Sequence, residues 1–203
     1  MAAARTVQRL KSGFKTQREL FGAGLPEGFR YRENVLTEAE EQTLAGQFAQ
    51  LPFRPFEFHG YLGKRRIVSY GYRYDYGERA LRDSAAFPEF LVSLRGKAAA
   101  IADLPADGFE QALVTEYAAG AGIGWHRDKP MFREVVAFSF LAPCVLRFRR
   151  KQGDTWDRRK WLLEPRSAYV LSGPARWEWY HSIPPVDALR YSVTFRNFVP
   201  ERR

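Results

Sequence analysis

Two histidines and one aspartate in the 203-residue chain have the types and spacing of a metal site. His126 and Asp128 lie two positions apart, so on an extended segment both side chains point to the same side. His181 comes later, just before the turn signal Pro184–Pro185. Two histidines and one carboxylate on one face of an ion leave three positions open, and non-haem Fe(II) oxygenases use such positions for a co-substrate and O₂. The spacing therefore predicts an Fe(II) site, with Zn²⁺ as the chief alternative, although a zinc site would more often add a cysteine or a third histidine.

The last predicted strand, Arg190 to Phe198, places its polar and apolar side chains on opposite faces. Its polar face carries two arginines and two hydroxyls, namely Arg190, Ser192, Thr194 and Arg196. We expect the apolar face to pack under helices and the polar face to point into a barrel. Buried arginine needs an anionic partner, and a dicarboxylate ligand would supply one because guanidinium binds carboxylate through two parallel hydrogen bonds. The alternative is a strand whose arginines face solvent.

The elements that must position these residues change in kind along the chain. Thr37 and Glu40 have the spacing of a capping box and predict a helix that ends before Pro52; a second helix is predicted from Pro88 to about Ala102. We expect residues 53–66 to form a loop and Ile67–Tyr76 to form a strand with four tyrosines on one face. From residue 109 onward short β-type runs alternate with turns, which is typical of an antiparallel barrel or sandwich. The expected fold class is α+β, with helices packed on one side of a barrel, as one domain over residues 34–203 after an irregular basic arm over residues 1–33.

The charge of the chain favours a polyanionic partner. The net charge is +9 with a pI near 9.8, and such a balance attracts nucleic acid through long-range forces and counterion release. A basic protein without any nucleic-acid role is the alternative. The single cysteine, Cys144, allows no intramolecular disulfide, which indicates a reducing compartment. We expect a cytoplasmic monomer without a membrane span, and the basic first 18 residues fit either an organelle presequence or a phosphate-binding arm.

The joint spacing of these residues resembles one known family. Tyr117-x-x-Gly-x5-His126-x-Asp128, then His181, then Arg190-x5-Arg196 is similar to the AlkB-like Fe(II)/2-oxoglutarate dioxygenases, over about Leu113 to Phe198. The segments Gly-Trp-His-Arg-Asp-Lys-Pro and Leu-Ser-Gly-Pro are similar to those of bacterial AlkB-like proteins. One departure is Thr115, where family members often carry asparagine; threonine can still donate a hydrogen bond but is shorter.

The resemblance implies a double-stranded β-helix (jelly-roll-like) fold with iron held by His126, Asp128 and His181. It also implies that 2-oxoglutarate reaches Arg190 with its distal carboxylate, while Arg196 holds the region near the metal-bound carboxylate and Asp128. Tyr117 would donate a hydroxyl to the co-substrate, and Thr115 is a further candidate contact. The implied reaction consumes 2-oxoglutarate and O₂ and hydroxylates an alkyl carbon on a base nitrogen, after which the unstable product releases an aldehyde. The expected activity is removal of methyl or etheno damage from DNA bases, with DNA favoured over RNA. The same chemistry on tRNA or on a protein side chain is the alternative.

The residues that would bind the substrate are predicted less directly. A base inside a duplex must be flipped out to be reached, and the family places a nucleotide-recognition lid at about residues 53–85. Tyr74 and Tyr76 are candidates for stacking on the base, with cross-strand packing as the alternative, and Trp125 is a candidate for the pocket wall. Candidate phosphate ligands are Lys64, Arg65 and Arg66, with Arg147–Lys151 as a second cluster; a solvated face is the alternative for both.

Overall fold

The computed structural model describes residues 24–58, 61–75, 77–78 and 80–200. Its helices are α1 (Glu38–Phe48), α2 (Glu89–Ala102) and α3 (Gly173–Trp177). Its strands are β1 (Phe29–Arg32), β2 (Arg54–Phe58), β3 (Tyr61–Tyr70), β4 (Tyr72–Asp75), β5 (Ala80–Asp83), β6 (Gln111–Tyr117), β7 (Ile123–His126), β8 (Phe132–Phe140), β9 (Cys144–Gln152), β10 (Thr155–Leu163), β11 (Ser167–Leu171), β12 (Tyr180–Ile183) and β13 (Arg190–Phe198).

The strands form antiparallel sheets. The large sheet has the order β1-β11-β8-β13-β6-β3-β2, and the small sheet has the order β10-β9-β12-β7. The hairpin β4–β5 forms a sheet of its own. Strands that are neighbours in a sheet are often far apart along the chain. Strand pairing therefore brings together the segments near residues 126, 181 and 190.

The large sheet separates two cores, and the two-residue period of its strands decides which side chain enters which. Val136, Phe138 and Phe140 of β8 pack with α1 and α2 in one core. Val135 and Ala137 of the same strand face the small sheet in the other core. Helices α1 and α2 therefore lie on one side of the large sheet and the small sheet lies on the other, where Ala175 of the short helix α3 also packs. The two predicted helices thus lie on one side of an antiparallel β structure, which confirms that prediction.

Strand β13 has the two faces that its sequence predicts. Tyr191, Val193 and Phe195 are buried in the core under the helices. The cavity between the sheets is lined by Ser192, Thr194 and Arg196. Arg190, on the same face, is fully buried. The alternative of a strand with solvent-facing arginines is excluded.

Helix α1 begins at the predicted capping box. The Thr37 hydroxyl accepts a hydrogen bond from the backbone N–H of Glu40 at 3.2 Å, and the Glu40 carboxylate accepts one from the backbone N–H of Thr37 at 2.7 Å. These bonds and the contact with Lys97 lower the pKa of Glu40 to about 2. Two amide groups that a helix start would leave unsatisfied are thus paired.

Replacing Thr37 with alanine is expected to lower the free energy of unfolding by about 1 kcal/mol, because it removes one partner of the box. Urea denaturation followed by circular dichroism measures the change. Thr43→Ala is the matched control, since the Thr43 hydroxyl only donates to the Ala39 carbonyl inside the helix. Equal unfolding midpoints for Thr37→Ala and the unaltered chain would contradict the role of the cap.

Residues 53–66 are not the predicted loop. Most of this segment belongs to β2 and β3, which pair with each other at one edge of the large sheet. Pro55 favours a loop, but an edge strand tolerates proline because one side of its backbone needs no ladder partner. The register shifts between Pro55 and Glu57, as expected beside a proline. Similarly, Phe29–Arg32 pair with β11 as β1, which corrects the expectation of an irregular arm there; residues 1–23 lie outside the described part of the chain.

The alternating tyrosines of the Ile67–Tyr76 run that the structure describes do not all share one face. The chain turns at Gly71, which has φ +73°, and a Cβ there would lie 2.1 Å from the Glu110 carbonyl oxygen. Only glycine fits such a position without strain. Tyr70 is buried in the helix-side core, whereas Tyr74 lies beyond the turn and lines the cavity. Tyr76 lies outside the described residues.

Within the described residues, no helix is both long and apolar enough to span a membrane.

Candidate metal centre

His126, Asp128 and His181 meet at the open edge of the small sheet. Strands β7 and β12 pair so that His126 lies directly opposite His181, and their ring centroids are 4.2 Å apart. Asp128 follows β7 by two residues, and its Oδ2 lies 3.5 Å from His181 Nε2. One ligand atom from each residue lies within 4.8 Å of the other two. The structure thus brings together the three predicted ligands, from two strands far apart in sequence.

The two imidazoles are neutral and have nitrogens available for a metal. His126 Nδ1 donates to the Gly124 carbonyl at 2.9 Å, which leaves the lone pair on Nε2. Burial lowers the pKa of His126. Burial, reinforced by the neighbouring His126, lowers the pKa of His181 to about 3. Metal binding needs unprotonated imidazole, so both rings are in the required state at neutral pH.

Asp128 is held in one orientation by Arg196. Arg196 Nε donates to Asp128 Oδ1 at 2.7 Å, and Nη2 lies 2.7 Å from the same oxygen. Arg196 Nη1 donates to Gln111 Oε1 at 2.9 Å, which fixes the guanidinium in turn. Burial alone would raise the pKa of Asp128, but Arg196, the two histidines and Arg176 together outweigh it, so the net pKa lies well below its usual value. Oδ1 is thereby occupied, and Oδ2 faces the histidines.

Replacing Arg196 with glutamine is expected to weaken Fe(II) binding roughly 10- to 100-fold, since groups that orient a metal ligand carry effects of that size. Anaerobic titration with Fe(II) measures the affinity. Arg133→Gln is the control with the same change of charge, because Arg133 pairs with Glu134 near the surface. An Fe(II) affinity that is the same in both variants would show that Asp128 does not depend on Arg196.

Arg190 is a second buried cation, and it lacks a carboxylate partner among the described residues. Its Nε and Nη2 donate to the hydroxyl of Ser139 at 3.2 and 3.1 Å, and its Nη1 is buried without a partner in that part of the chain. The guanidinium carbon lies 5.0 Å from the ring centre of Tyr117, its opposite residue on β6. A buried cation with an unsatisfied donor fits a carboxylate ligand.

A cavity of about 870 Å³ lies over the three candidate ligands. Thr115 and Tyr117 line its wall from β6, while Trp125, Tyr74 and Arg65 line other parts of it. Burial raises the pKa of Tyr117, so its phenol keeps its proton. The cavity is large enough for a small dicarboxylate and one further ring system. Besides the three candidate ligands and Arg196, five further predicted site residues thus line this cavity.

Lys64 and Arg66 do not line that cavity, whereas Arg65 does; phosphate binding by the three residues stays a prediction. Residues that alternate along β3 face opposite sides, and Arg65 faces the cavity. Arg66 instead makes two hydrogen bonds to Glu116, at 2.7 and 2.9 Å, and Lys64 is exposed. Three consecutive basic residues on a strand cannot all face one ligand, and the sequence does not mark this segment as a strand.

Four residues of the site were not identified from the sequence. Ser139 and Gln111 accept hydrogen bonds from the two arginines. Tyr169 lines the cavity, and Arg176 is buried beside it. Arg176 Nη2 donates to the carbonyls of Lys129 and Phe132 at 2.6 and 2.7 Å and so holds the loop after Asp128. The two-residue alternation of β8 and β6 places Ser139 and Gln111 on the interior faces of their strands, so the sequence contained some indication of them. Nothing in the sequence indicates Arg176.

Residues 28–196 match the profile of the 2OG-Fe(II) oxygenase superfamily. The chain belongs to this superfamily, whose members use Fe(II), 2-oxoglutarate and O₂. The His-Asp-His cluster fits the metal of that family because two imidazoles and one carboxylate are the ligand set of non-haem Fe(II). The prediction of an AlkB-like 2-oxoglutarate-dependent dioxygenase is confirmed, and with it the predicted cofactors.

Individual relatives agree with this placement. The chain is 29% identical over 162 residues to the Alkylated DNA repair protein ALKBH8 homolog of Arabidopsis thaliana, covering 67% of this chain and 47% of that protein. It is 24% identical over 183 residues to the tRNA (carboxymethyluridine(34)-5-O)-methyltransferase ALKBH8 of Mus musculus, covering 85% of this chain and 27% of that protein. The chain thus spans half or less of these relatives. The solved structure of OsALKBH1 superposes with a TM-score of 0.66 at 16% identity, covering 87% of this chain and 99% of that one, and supports the fold.

Proposed function

We propose that this protein removes methyl or etheno groups from bases of alkylated nucleic acid by oxidation, as a DNA repair enzyme that also accepts RNA. The observation that carries the proposal is the cluster of His126, Asp128 and His181 under a cavity with Arg190 and Arg196 behind it. We further propose that the two facing sheets form the double-stranded β-helix that the resemblance implies; the antiparallel orders of both sheets support this.

In this proposal the three clustered residues hold Fe(II), and Arg190 binds the distal carboxylate of 2-oxoglutarate. When bound, iron with 2-oxoglutarate and O₂ would supply an oxidation in which succinate and CO₂ form and one oxygen atom enters a C–H bond of a methyl group or adds to the C=C bond of an etheno bridge. A hydroxymethyl group on a base nitrogen then breaks its C–N bond, which releases formaldehyde and moves the hydroxyl proton to the base. An oxidised etheno bridge takes up one water and breaks both of its C–N bonds, which releases glyoxal and restores the base. The balance needs no further oxidant.

The side chains of the protein bind, orient and exclude water. Arg196 keeps one oxygen of Asp128 occupied so that the other faces the metal position. The neutral phenol of Tyr117 is placed to donate its proton to a co-substrate oxygen, and Thr115 lies on the same face of β6. The interior core between the sheets is apolar and closes the site from below. A dry and rigid surrounding is the protein's main contribution to such chemistry.

Two features support a nucleic-acid base as the substrate: the aromatic residues that line the cavity and the net charge of the chain. Tyr74 and Trp125 both line the cavity, one from the hairpin β4–β5 and one from β7. Aromatic rings in these positions suit a flipped base, which needs stacking faces. Lys129 Nζ lies 4.3 Å from the ring centre of Tyr74 and would steady the ring. The net charge of +9 favours a polyanion.

A second candidate is oxidation of a tRNA base by the same residues. The name of the mouse relative includes a tRNA activity, and the match covers 27% of that protein. The Arabidopsis relative is named as a DNA repair protein. The two names support nucleic acid as the common substrate class and leave the choice between DNA and tRNA to experiment.

We also propose a cytoplasmic monomer. One chain supplies all three candidate iron ligands, so the site needs no second copy. Cys144 is buried and free, which suits a reducing compartment.

The test is succinate formation from 2-oxoglutarate in the presence of Fe(II), with a panel of oligonucleotides. The panel contains methylated and etheno-modified DNA, the same lesions in RNA, unmodified strands and tRNA. Stimulation by alkylated strands over unmodified ones supports the proposal, and stimulation by tRNA alone favours the second candidate. Turnover that no member of the panel stimulates would refute both.

A further inference from the structure

The outer face of the small sheet is basic and aromatic, and of its residues the proposed function uses only Trp125. On β9, Leu146 and Phe148 enter the interior core, so Arg147, Arg149 and Lys151 point outward. Their opposite residues on β10 are Lys160, Arg158 and Trp156. Tyr180 of β12 lies opposite Arg149. We call this surface the basic sheet face; it consists of Trp125, Arg147, Arg149, Lys151, Trp156, Arg158, Lys160 and Tyr180.

The strands of the small sheet keep acidic side chains off the basic sheet face. The four strands β7, β9, β10 and β12 contain a single carboxylate, Asp157. Asp157 lies opposite Arg150 and is paired with Arg159, both on the other side of the sheet. Arg150 pairs there with Glu178 at 2.7 Å. The cations of the inner side are thus neutralised, whereas these strands contribute no carboxylate to the outer face.

Aromatic rings alternate with these cations in space. The guanidinium carbon of Arg149 lies 4.6 Å from the ring centre of Trp125, 4.5 Å from that of Trp156 and 5.6 Å from that of Tyr180. Arg149 Nε is buried and has no hydrogen-bond partner within the described part of the chain. Arg147 lies 5.2 Å from Trp125. The face therefore presents flat rings and guanidinium groups side by side, which is the chemistry of a nucleotide-stacking surface.

The basic sheet face is continuous with the cavity. Trp125 and Tyr180 belong to the face and also line the cavity above the metal position. Arg127, whose guanidinium lies 4.6 Å from the Tyr180 ring centre, lines the cavity at the same place. A strand whose base enters the cavity would therefore leave it across Trp125 and Tyr180 and run onto the outer side of β9 and β10.

We propose that the basic sheet face binds a single strand of nucleic acid flanking the base in the cavity, with arginines on phosphates and Trp125 and Trp156 under bases. The inference rests on the proposed function and adds the strandedness of its substrate. Duplex bases are stacked on each other and cannot stack on side chains, whereas single-stranded bases can. Phosphodiester chemistry is shared by DNA and RNA, so the face accepts either source.

The test is binding of unmodified, fluorescein-labelled oligonucleotides to the full chain, measured by anisotropy at several salt concentrations. Single-stranded DNA, single-stranded RNA and the DNA duplex are compared. Lys151→Glu/Arg158→Glu is expected to weaken single-strand binding roughly tenfold or more and to reduce the slope of log affinity against log salt by about 0.7 for each phosphate that is no longer neutralised. Trp156→Ala is expected to weaken binding roughly fivefold or more, because one stacking ring is removed.

The matched control is Arg32→Glu/Arg133→Glu, which makes the same change of net charge at exposed positions of the large sheet, away from the face. It is expected to change the affinity much less and to keep the salt slope. Thermal unfolding of each variant shows that it is folded. Equal loss in both double variants, or duplex binding as tight as single-strand binding, would overturn the inference. Succinate formation with an alkylated trinucleotide, which is too short to cross the face, tests the proposed function separately.

Discussion

His126→Ala is expected to lose iron and, with it, all succinate formation. The change removes one of three ligands, so the affinity for Fe(II) should fall by more than the roughly 10- to 100-fold that loss of a surrounding partner costs. His126 faces His181 across the strand pair. Among the described residues only His126, Asp128 and His181 form this cluster, so no neighbouring side chain replaces the lost imidazole nitrogen. Iron content after anaerobic reconstitution and succinate yield are measured on the same preparation.

His59→Ala is the matched control, since it changes the remaining histidine of the chain. It is expected to keep iron, because the candidate site needs only His126 and His181 as imidazole ligands. One tightly bound iron in His126→Ala would mean that the metal site lies elsewhere.

Arg190→Met is expected to raise the KM for 2-oxoglutarate roughly 30-fold or more, because removing one partner of a buried charge pair costs about 2–5 kcal/mol. The same change should not lower the Tm of the ligand-free protein. Arg190 is fully buried and lacks a carboxylate partner among the described residues, so a methionine of similar length relieves an unpaired buried charge. At a concentration that saturates the unaltered protein, 2-oxoglutarate should raise the Tm of that protein but not the Tm of Arg190→Met.

Arg176→Met distinguishes this effect from the loss of any buried arginine. Arg176 donates to two backbone carbonyls, so its replacement leaves those acceptors unsatisfied and should lower the Tm. If Arg190→Met instead keeps its KM for 2-oxoglutarate and loses stability, Arg190 is a structural residue and the co-substrate is bound by other groups.

The His126–Asp128 pair and the two faces of β13 were predictable because both depend on a local period. His126 and Asp128 lie two residues apart at the end of a strand, and Arg190 and Arg196 lie on one face of β13. Such patterns need no knowledge of the partner strand. The pairing of β7 with β12, which places His181 opposite His126, is a long-range contact that the sequence does not state.

The substrate side could be predicted only in part, because it depends on where strands begin and bend. Pro55 and the glycines of residues 60–63 favour a loop, yet β2 and β3 pair there, and Pro55 is tolerated because β2 is the edge strand of the sheet. The turn at Gly71 then separates Tyr70 from Tyr74. Once the bend and the edge are known, the alternation of β3 assigns Arg65 to the cavity and Arg66 to Glu116.

The positions of Arg176 and Ser139 illustrate a second limit. Each acts through a contact with a residue far away in sequence, Lys129 for Arg176 and Arg190 for Ser139. A lone arginine in a short helix has no distinctive spacing, and the alternation that places Ser139 on an interior face does not identify the residue that it contacts. Only the packed structure identifies the atoms that these side chains contact.

The ratio of succinate to formaldehyde to demethylated strand tests the proposed dealkylation most directly. The protein, with Fe(II), 2-oxoglutarate and O₂, is incubated with a methylated single-stranded oligonucleotide, and succinate, formaldehyde and the mass of the oligonucleotide are measured together. We predict that each strand that loses one CH₂ is matched by about one succinate and one formaldehyde, and that His126→Ala yields none of the three. Succinate without any change in the mass of the oligonucleotide, or loss of CH₂ that persists in His126→Ala, would contradict the proposed function.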